Sequence, residues 1–175
     1  MAIKTIFLDR DGVINKEINY LHKINDFEFI DGIFSACHYF ETLGYKIIII
    51  TNQSGISRGY YNELDYQALT NWMLSQFEIN RVKILDIFHC PHNPKEKCEC
   101  RKPKPGMFLK AQKKHNIDME NSWMIGDKEV DITAANSAGI INTILVRSGH
   151  MINESKSNSM YIVDSIKESS TIISN

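Results

Sequence analysis

Residues 47–50 are four consecutive isoleucines, and a run that apolar, with no polar alternation, suits a strand buried on both faces of a sheet. With Tyr45, Lys46 and Thr51 around it, it predicts a strand over residues 45–51. The run Lys-Thr-Ile-Phe-Leu-Asp over residues 4–9 predicts another, ending on a carboxylate. Between the two, Ile33, Phe34, Cys37, Phe40 and Leu43 recur at helical spacing. They predict a helix over 31–43 with Asp31 as its N-cap and Gly44 as its stop. A second helix follows over 63–77, with Leu64, Ala68, Leu69, Trp72, Met73 and Phe77 on one side. Further along, the pattern predicts strand 84–89, helix 106–115, strand 123–125, helix 129–138 closed by Gly139, strand 142–146 and a last short strand at 160–163.

Strands alternating with helices define an α/β protein: a three-layer Rossmann-like fold whose mostly parallel sheet is covered by helices on both faces. Two stretches break the rhythm. Residues 15–29 form a long polar and aromatic connection, and residues 90–105 hold all four prolines and three of the four cysteines. The gaps of 42 residues from Asp9 to Thr51 and 51 from Thr51 to Lys102 are mostly filled by core elements. A minimal cap and a single domain over 1–175 are therefore expected, with residues 153–159 as a polar surface loop.

Composition narrows the partners. Hydrophobic content of 43% and charged content of 23% are ordinary for a globular chain. A net charge of −1 gives no footprint for nucleic acid. The isoleucine run is too short to span a bilayer, and the N-terminus enters a strand with no signal-peptide pattern. The expectation is a cytoplasmic monomer that acts on a small molecule.

Ligands of open α/β sheets bind beyond the carboxyl ends of the strands. The strand over 4–9 ends in Asp9-Arg10-Asp11-Gly12, and that over 45–51 in Thr51-Asn52-Gln53-Ser54-Gly55. Strand 123–125 runs into Gly126-Asp127-Lys128, with Asp131 four residues beyond Asp127, and Arg101-Lys102 lie just before the helix at 106. Asp9, Asp11 and Asp127 together offer the hard oxygen donors that Mg²⁺ takes alongside a substrate phosphate. A phosphate ester resists an anionic nucleophile, so the metal and Lys102 must neutralise charge, while Thr51 and the backbone N–H groups after it cradle phosphoryl oxygens. One aspartate can then attack while the other protonates the leaving oxygen. Taken singly, Asp127 reads as a helix N-cap, Thr51 as structural and Lys102 as a solvated charge. A calcium loop starting at Asp9 is excluded, because its sixth and twelfth positions are Ile14 and Tyr20 where Gly and Glu are needed.

Cys90-Pro91-His92 followed by Cys98-Glu99-Cys100 supplies three thiols and one imidazole, the complement of a tetrahedral Zn²⁺ site. A proline-rich loop with no core of its own would take its order from such an ion, making it a zinc-stapled loop over 90–105. The bland alternative is a loop of reduced cysteines without metal. Cys37 lies on the apolar face of a helix and reads as core.

Taken in order, these motifs resemble the haloacid-dehalogenase superfamily of phosphatases, and the similarity spans Asp9 to Asp131. The resemblance implies Asp9 as nucleophile, Asp11 as general acid/base, Thr51 and Lys102 as phosphoryl stabilisers, and Asp127 as a Mg²⁺ ligand. Asp131 fits the second acidic position, and Val13 stands where many members have Thr. Within the superfamily, Asp-Arg-Asp-Gly, Thr-Asn-Gln-Ser-Gly-Ile-Ser-Arg-Gly, the cysteine loop and Cys-Arg-Lys-Pro resemble the D-glycero-D-manno-heptose 1,7-bisphosphate 7-phosphatases. Those enzymes serve the biosynthesis of nucleotide-activated heptose for surface polysaccharide. This likeness implies substrate contacts from Tyr20, Asn52, Gln53, Ser54, Arg58, Arg101 and Lys128. Histidinol-phosphate phosphatases share the cysteine loop and are the alternative. Ser54 and Arg58-Gly59 favour the sugar bisphosphate, since a further Arg suits a second phosphate.

Overall fold

The computed structural model describes residues 2–174; Met1 and Asn175, the ends of the expected domain, lie outside the described residues. Six strands form one parallel sheet in the order β3-β2-β1-β4-β5-β6. They are β1 (Thr5–Leu8), β2 (Lys46–Asn52), β3 (Ile84–Cys90), β4 (Trp123–Gly126), β5 (Asn142–Val146) and β6 (Tyr161–Val163). The helices are α1 (Ile33–Thr42), α2 (Glu63–Ile79), α3 (Gly106–His115), α4 (Glu129–Ser137) and α5 (Ile166–Ile172).

The isoleucine run explains the layering. Ile47 and Ile49 pack into a core shared with Ile33 and Phe40 of α1, Leu69 and Phe77 of α2, and Ile166 of α5. Ile48 and Ile50 point the other way, into a core with Met107 and Phe108 of α3 and Ala134 and Ala135 of α4. Each strand residue alternates faces, so a strand covered by helices on both sides must be apolar throughout. β1 does the same, with Ile6 and Leu8 on the first face and Phe7 on the second.

Two local expectations change. Asp31 does not cap α1: the N-cap is Gly32 at φ 82°, and the Asp31 carboxylate instead pairs with Lys167 of α5 at 2.9 Å. The C-terminal helix α5 is absent from the periodicity reading because it spans only seven residues. Its start is nevertheless written in the sequence, as Ser165 and Glu168 form a reciprocal capping box.

The chain order reverses at β1, which has β2 on one side and β4 on the other. The crevice at that switch point is where a parallel sheet opens to a ligand. Among the described residues, no helix is long and apolar enough to cross a membrane.

Candidate active site

The ends of β1, β2 and β4 bring the acidic and basic residues to one buried centre. Asp9 follows β1, and its Oδ1 accepts a hydrogen bond from Lys102 Nζ at 2.9 Å. The same ammonium donates to Ile50 O at 2.8 Å and lies 2.7 Å from Asp131 Oδ1. Lys102 is 2% exposed and Asp127 and Asp131 no more than 1%, so these charges act in a medium that screens them little. Oxygens of Asp9, Asp127 and Asp131 lie within 4.8 Å of one another.

Three carboxylates facing one ammonium leave a negative excess that a divalent cation would neutralise. Burial raises the Asp9 carboxyl to about 6, with Lys102 opposing the rise and Asp131 and Asp11 adding to it. Burial likewise raises Asp127 and Asp131. Burial alone would lower Lys102, but Asp131 and Asp9 overcome it and hold the ammonium charged. One further observation fits a cation: Asp127 Oδ1 is buried with no hydrogen-bond partner among the described residues. Its other oxygen accepts from the His150 backbone N–H at 2.9 Å and faces His150 Nδ1 at 2.6 Å. A side chain at Gly12, where φ is +88°, would sit 2.4 Å from Asp127 Oδ2, so the turn after Asp11 admits only glycine.

The converging carboxylates are Asp9, Asp127 and Asp131, and the Asp11 side chain, expected beside Asp9 and Asp127, bonds to other groups. Its Oδ1 accepts from Arg10 Nη2 at 2.9 Å and Asn15 Nδ2 at 3.0 Å, and its Oδ2 from Gln53 Nε2 at 3.0 Å. The strand ends at Leu8 and the chain turns, so the rule that residues i and i+2 share a face lapses here. Asp131 takes the third place near Asp9 and Asp127. It gets there by opening α4, where its Oδ2 accepts the Lys128 backbone N–H at 3.1 Å.

The polar residues after β2 divide their work. Thr51 Oγ1 accepts from Gln53 Nε2 at 2.8 Å. Asn52 clamps the Lys102 main chain, donating to its carbonyl and accepting its N–H, both at 3.1 Å. Gln53 is 2% exposed with both amide hydrogens bonded, while half-buried Asn52 keeps one amide hydrogen beyond its bonds to Lys102; both line the cavity. Ser54, Arg58, Arg101, Lys128 and Tyr20 line the mouth of a cavity of about 370 Å³ above Asp9. Arg101 Nη1 donates to His92 O at 3.0 Å, which ties the mouth to the cysteine loop. Tyr20 contacts Tyr60 edge-on with ring centroids 4.5 Å apart, joining the loop after β1 to the loop after β2.

Sequence reasoning missed Arg10, Glu17 and His150. Arg10 is 2% exposed and also donates to Leu21 O at 3.1 Å. Glu17 lines the cavity, and burial together with Asp11 raises its carboxyl to about 7 against the pull of His150 and Lys128. His150 carries no motif; its only signal is a place just beyond the carboxyl end of β5.

The cysteine loop gathers as its composition suggests. Cys90 Sγ lies 3.7 Å from Cys98 Sγ and 3.1 Å from Cys100 Sγ. His92 Nδ1 lies 3.4 Å from Cys90 Sγ and 3.3 Å from Cys100 Sγ. All three thiols are free, and tetrahedral Zn–S bonds of about 2.3 Å would set sulfurs about 3.8 Å apart.

The fold and this centre define a haloacid-dehalogenase-like hydrolase, and a HAD-hydrolase-like family model matches residues 99–169. A D-glycero-alpha-D-manno-heptose-1,7-bisphosphate 7-phosphatase of Photorhabdus laumondii is 51% identical over 165 residues, covering 90% of each chain. A D-glycero-beta-D-manno-heptose-1,7-bisphosphate 7-phosphatase of Vibrio cholerae is 46% identical, covering 96% of this chain and 95% of that one. A crystal structure of D,D-heptose 1,7-bisphosphate phosphatase from B. bronchiseptica, complexed with magnesium and phosphate, superposes with a TM-score of 0.85 at 26% identity, covering 97% of each chain. The chain belongs to the heptose-1,7-bisphosphate 7-phosphatase family.

Proposed function

We propose that this chain, acting in the cytoplasm as a single domain without a large cap, removes the 7-phosphate of D-glycero-D-manno-heptose 1,7-bisphosphate on the way to nucleotide-activated heptose. The observation that carries this reading is the pairing of a buried nucleophile with a cationic mouth. Asp9 lies at the floor of the cavity, while Arg58, Arg101 and Lys128 line its walls. A cavity of about 370 Å³ is of the size that holds a small metabolite, and three cations suit a substrate with a second phosphate. A cationic aminoalcohol phosphate such as histidinol phosphate would meet those cations unfavourably.

Asp9 Oδ2, the oxygen not bound by Lys102, attacks phosphorus and forms an aspartyl phosphate while the sugar oxygen leaves. Asp11 delivers a proton to that oxygen and then takes one from the water that hydrolyses the aspartyl phosphate. Lys102 holds Asp9 in place and balances the charge that gathers on the phosphoryl oxygens. Asp9 and Asp127 would hold Mg²⁺ with Asp131 beside them, and the ion would supply charge neutralisation to the nucleophile and the phosphoryl group together. Cys90, His92, Cys98 and Cys100 would hold Zn²⁺, stapling the loop that presents Arg101 and Lys102. With the loop fixed, Arg101 reads the sugar side of the substrate and Lys102 the transferred group.

Phosphate release measured on both heptose bisphosphate anomers, histidinol phosphate and fructose 1,6-bisphosphate tests the proposal. One or both heptose bisphosphates should exceed histidinol phosphate in kcat/KM by about a hundredfold, the worth of two charge-assisted contacts. A preference for histidinol phosphate would overturn the substrate.

A further inference from the structure

We infer that Asn52 is a positioning residue for Lys102: its side-chain amide fixes the main chain from which the ammonium extends. This rests on the reading of Lys102 as the group that balances phosphoryl charge, and not on the identity of the sugar. Lys102 lies between β3 and α3, outside every helix and strand, yet it is 2% exposed. A peptide N–H and C=O buried in such a loop each need a partner. Asn52 Nδ2 donates to Lys102 O, and Asn52 Oδ1 accepts the Lys102 N–H, both at 3.1 Å. No other hydrogen bond to the Lys102 N–H or C=O is found among the described residues. These partners also settle which way the amide points, because a backbone N–H only donates and a carbonyl only accepts. That orientation holds whatever the ionisation of the carboxylates nearby.

The clamp completes a grip that β2 exerts on both ends of the lysine. Asn52 is the last residue of β2 and holds the main chain, while Ile50 O, two residues earlier, accepts from Lys102 Nζ at 2.8 Å. The rest of the ammonium faces Asp9 Oδ1 at 2.9 Å and Asp131 Oδ1 at 2.7 Å. A lysine stem is a flexible four-carbon chain, so the ammonium has one position only when its base is fixed as well as its tip. β2 is a firm anchor for that base, being paired with β1 on one side and β3 on the other. The pairing runs past the strand end, where the Gln53 N–H donates to Cys90 O at 2.7 Å. The loop's own bonds, Lys104 N–H to Arg101 O at 2.9 Å and Gly106 N–H to Glu99 O at 3.1 Å, fold it locally without tying it to β2. The Asn52 amide makes that tie.

Asn52→Ala keeps the backbone of residue 52 and removes only the clamp. It should lower kcat about tenfold with KM within about twofold, on p-nitrophenyl phosphate and on heptose bisphosphate alike. A double-mutant cycle on p-nitrophenyl phosphate, which offers the neighbouring Arg101 nothing to hold, tests whether the effect passes through the lysine. In a Lys102→Met background no ammonium is left to misplace, so adding Asn52→Ala should change kcat by less than about twofold. The ammonium also gives a readout without turnover. In protein labelled with ¹⁵N at lysine Nζ, its proton–nitrogen signal is the one that Lys102→Met removes, and Asn52→Ala should shift or broaden it. Thermal melts check that each variant is folded. If Asn52→Ala does not fold, Asn52→Ser carries the comparison, and Lys102→Gln replaces Lys102→Met on the same ground. A loss confined to the bisphosphate would make Asn52 a direct substrate contact, and an undiminished loss in the Lys102→Met background would make it act apart from the lysine. Either result overturns the inference, as does an ammonium signal that Asn52→Ala leaves unchanged. Wild-type protein that hydrolyses no phosphate ester would overturn the proposed activity, leaving the ammonium signal to decide the clamp.

Discussion

Replacing Lys102 with Met, which keeps most of the side-chain volume, removes the ammonium that lies between Asp9 and Asp131. The lysine side chain is 1% exposed, so solvent does not replace it, and leaving a buried pair broken costs about 3–5 kcal/mol. The loss should depend on pH in a defined direction. With Lys102 present and no metal, Asp9 already titrates at about 6 against 3.8 for a free carboxyl, a difference worth about 3 kcal/mol. Because the folded value is the raised one, this contribution to stability is full below about 3.8 and is lost as pH rises through about 6. Without the ammonium both carboxyls move further upward. In urea unfolding without divalent ions, Lys102→Met should therefore lose about 3–5 kcal/mol at pH 8 and distinctly less at pH 5, where protons replace the lysine. Added Mg²⁺ should recover part of the loss at pH 8. Turnover should fall by about 10³ on heptose bisphosphate and on p-nitrophenyl phosphate alike. Equal destabilisation at the two pH values, or turnover near wild type, would refute the charge balance drawn for this centre.

Three other outcomes follow from the geometry. His150→Ala should weaken Mg²⁺ binding, read by calorimetry, about 10–100-fold, because the ring steadies Asp127 while leaving Oδ1 open; an unchanged affinity removes that role. Protein prepared without chelator should carry about one zinc per chain by elemental analysis, and Cys98→Ser should lose it together with thermal stability. Arg101→Ala should cost heptose bisphosphate about 1.5–3 kcal/mol in kcat/KM and leave p-nitrophenyl phosphate nearly unchanged; equal losses would place Arg101 on the transferred phosphoryl group.

The sequence displays the parts of this molecule that are set by local pattern. Helix Gly106–His115 and strand Asn142–Val146 begin and end where periodicity places them, and the isoleucine strand is apolar because it has helices on both faces. Asp9, Lys102 and Asp127 stand out because each lies at a strand end or just before a helix. What the pattern cannot carry is the direction of side chains after a turn. Asp11 swings to Arg10 and Asn15, and Asp131 reaches inward because the first turn of α4 points it at Lys102. Asn52 and Gln53 line the cavity as the motif suggests, and the pattern does not show that their amides also bond to Lys102, Thr51 and Asp11. His150 becomes visible only when β5 is seen beside β4, which brings a residue 23 positions away in sequence to Asp127. Helix α5 depends on packing against α1 rather than on its own seven residues.

Phosphorus NMR of D-glycero-D-manno-heptose 1,7-bisphosphate incubated with the protein and Mg²⁺ tests the central claim most directly. The account predicts loss of the 7-phosphate signal and growth of inorganic phosphate, with the 1-phosphate intact and no change when Asp9→Asn replaces the wild type. Release of the 1-phosphate, or turnover by Asp9→Asn at the wild-type rate, would contradict it.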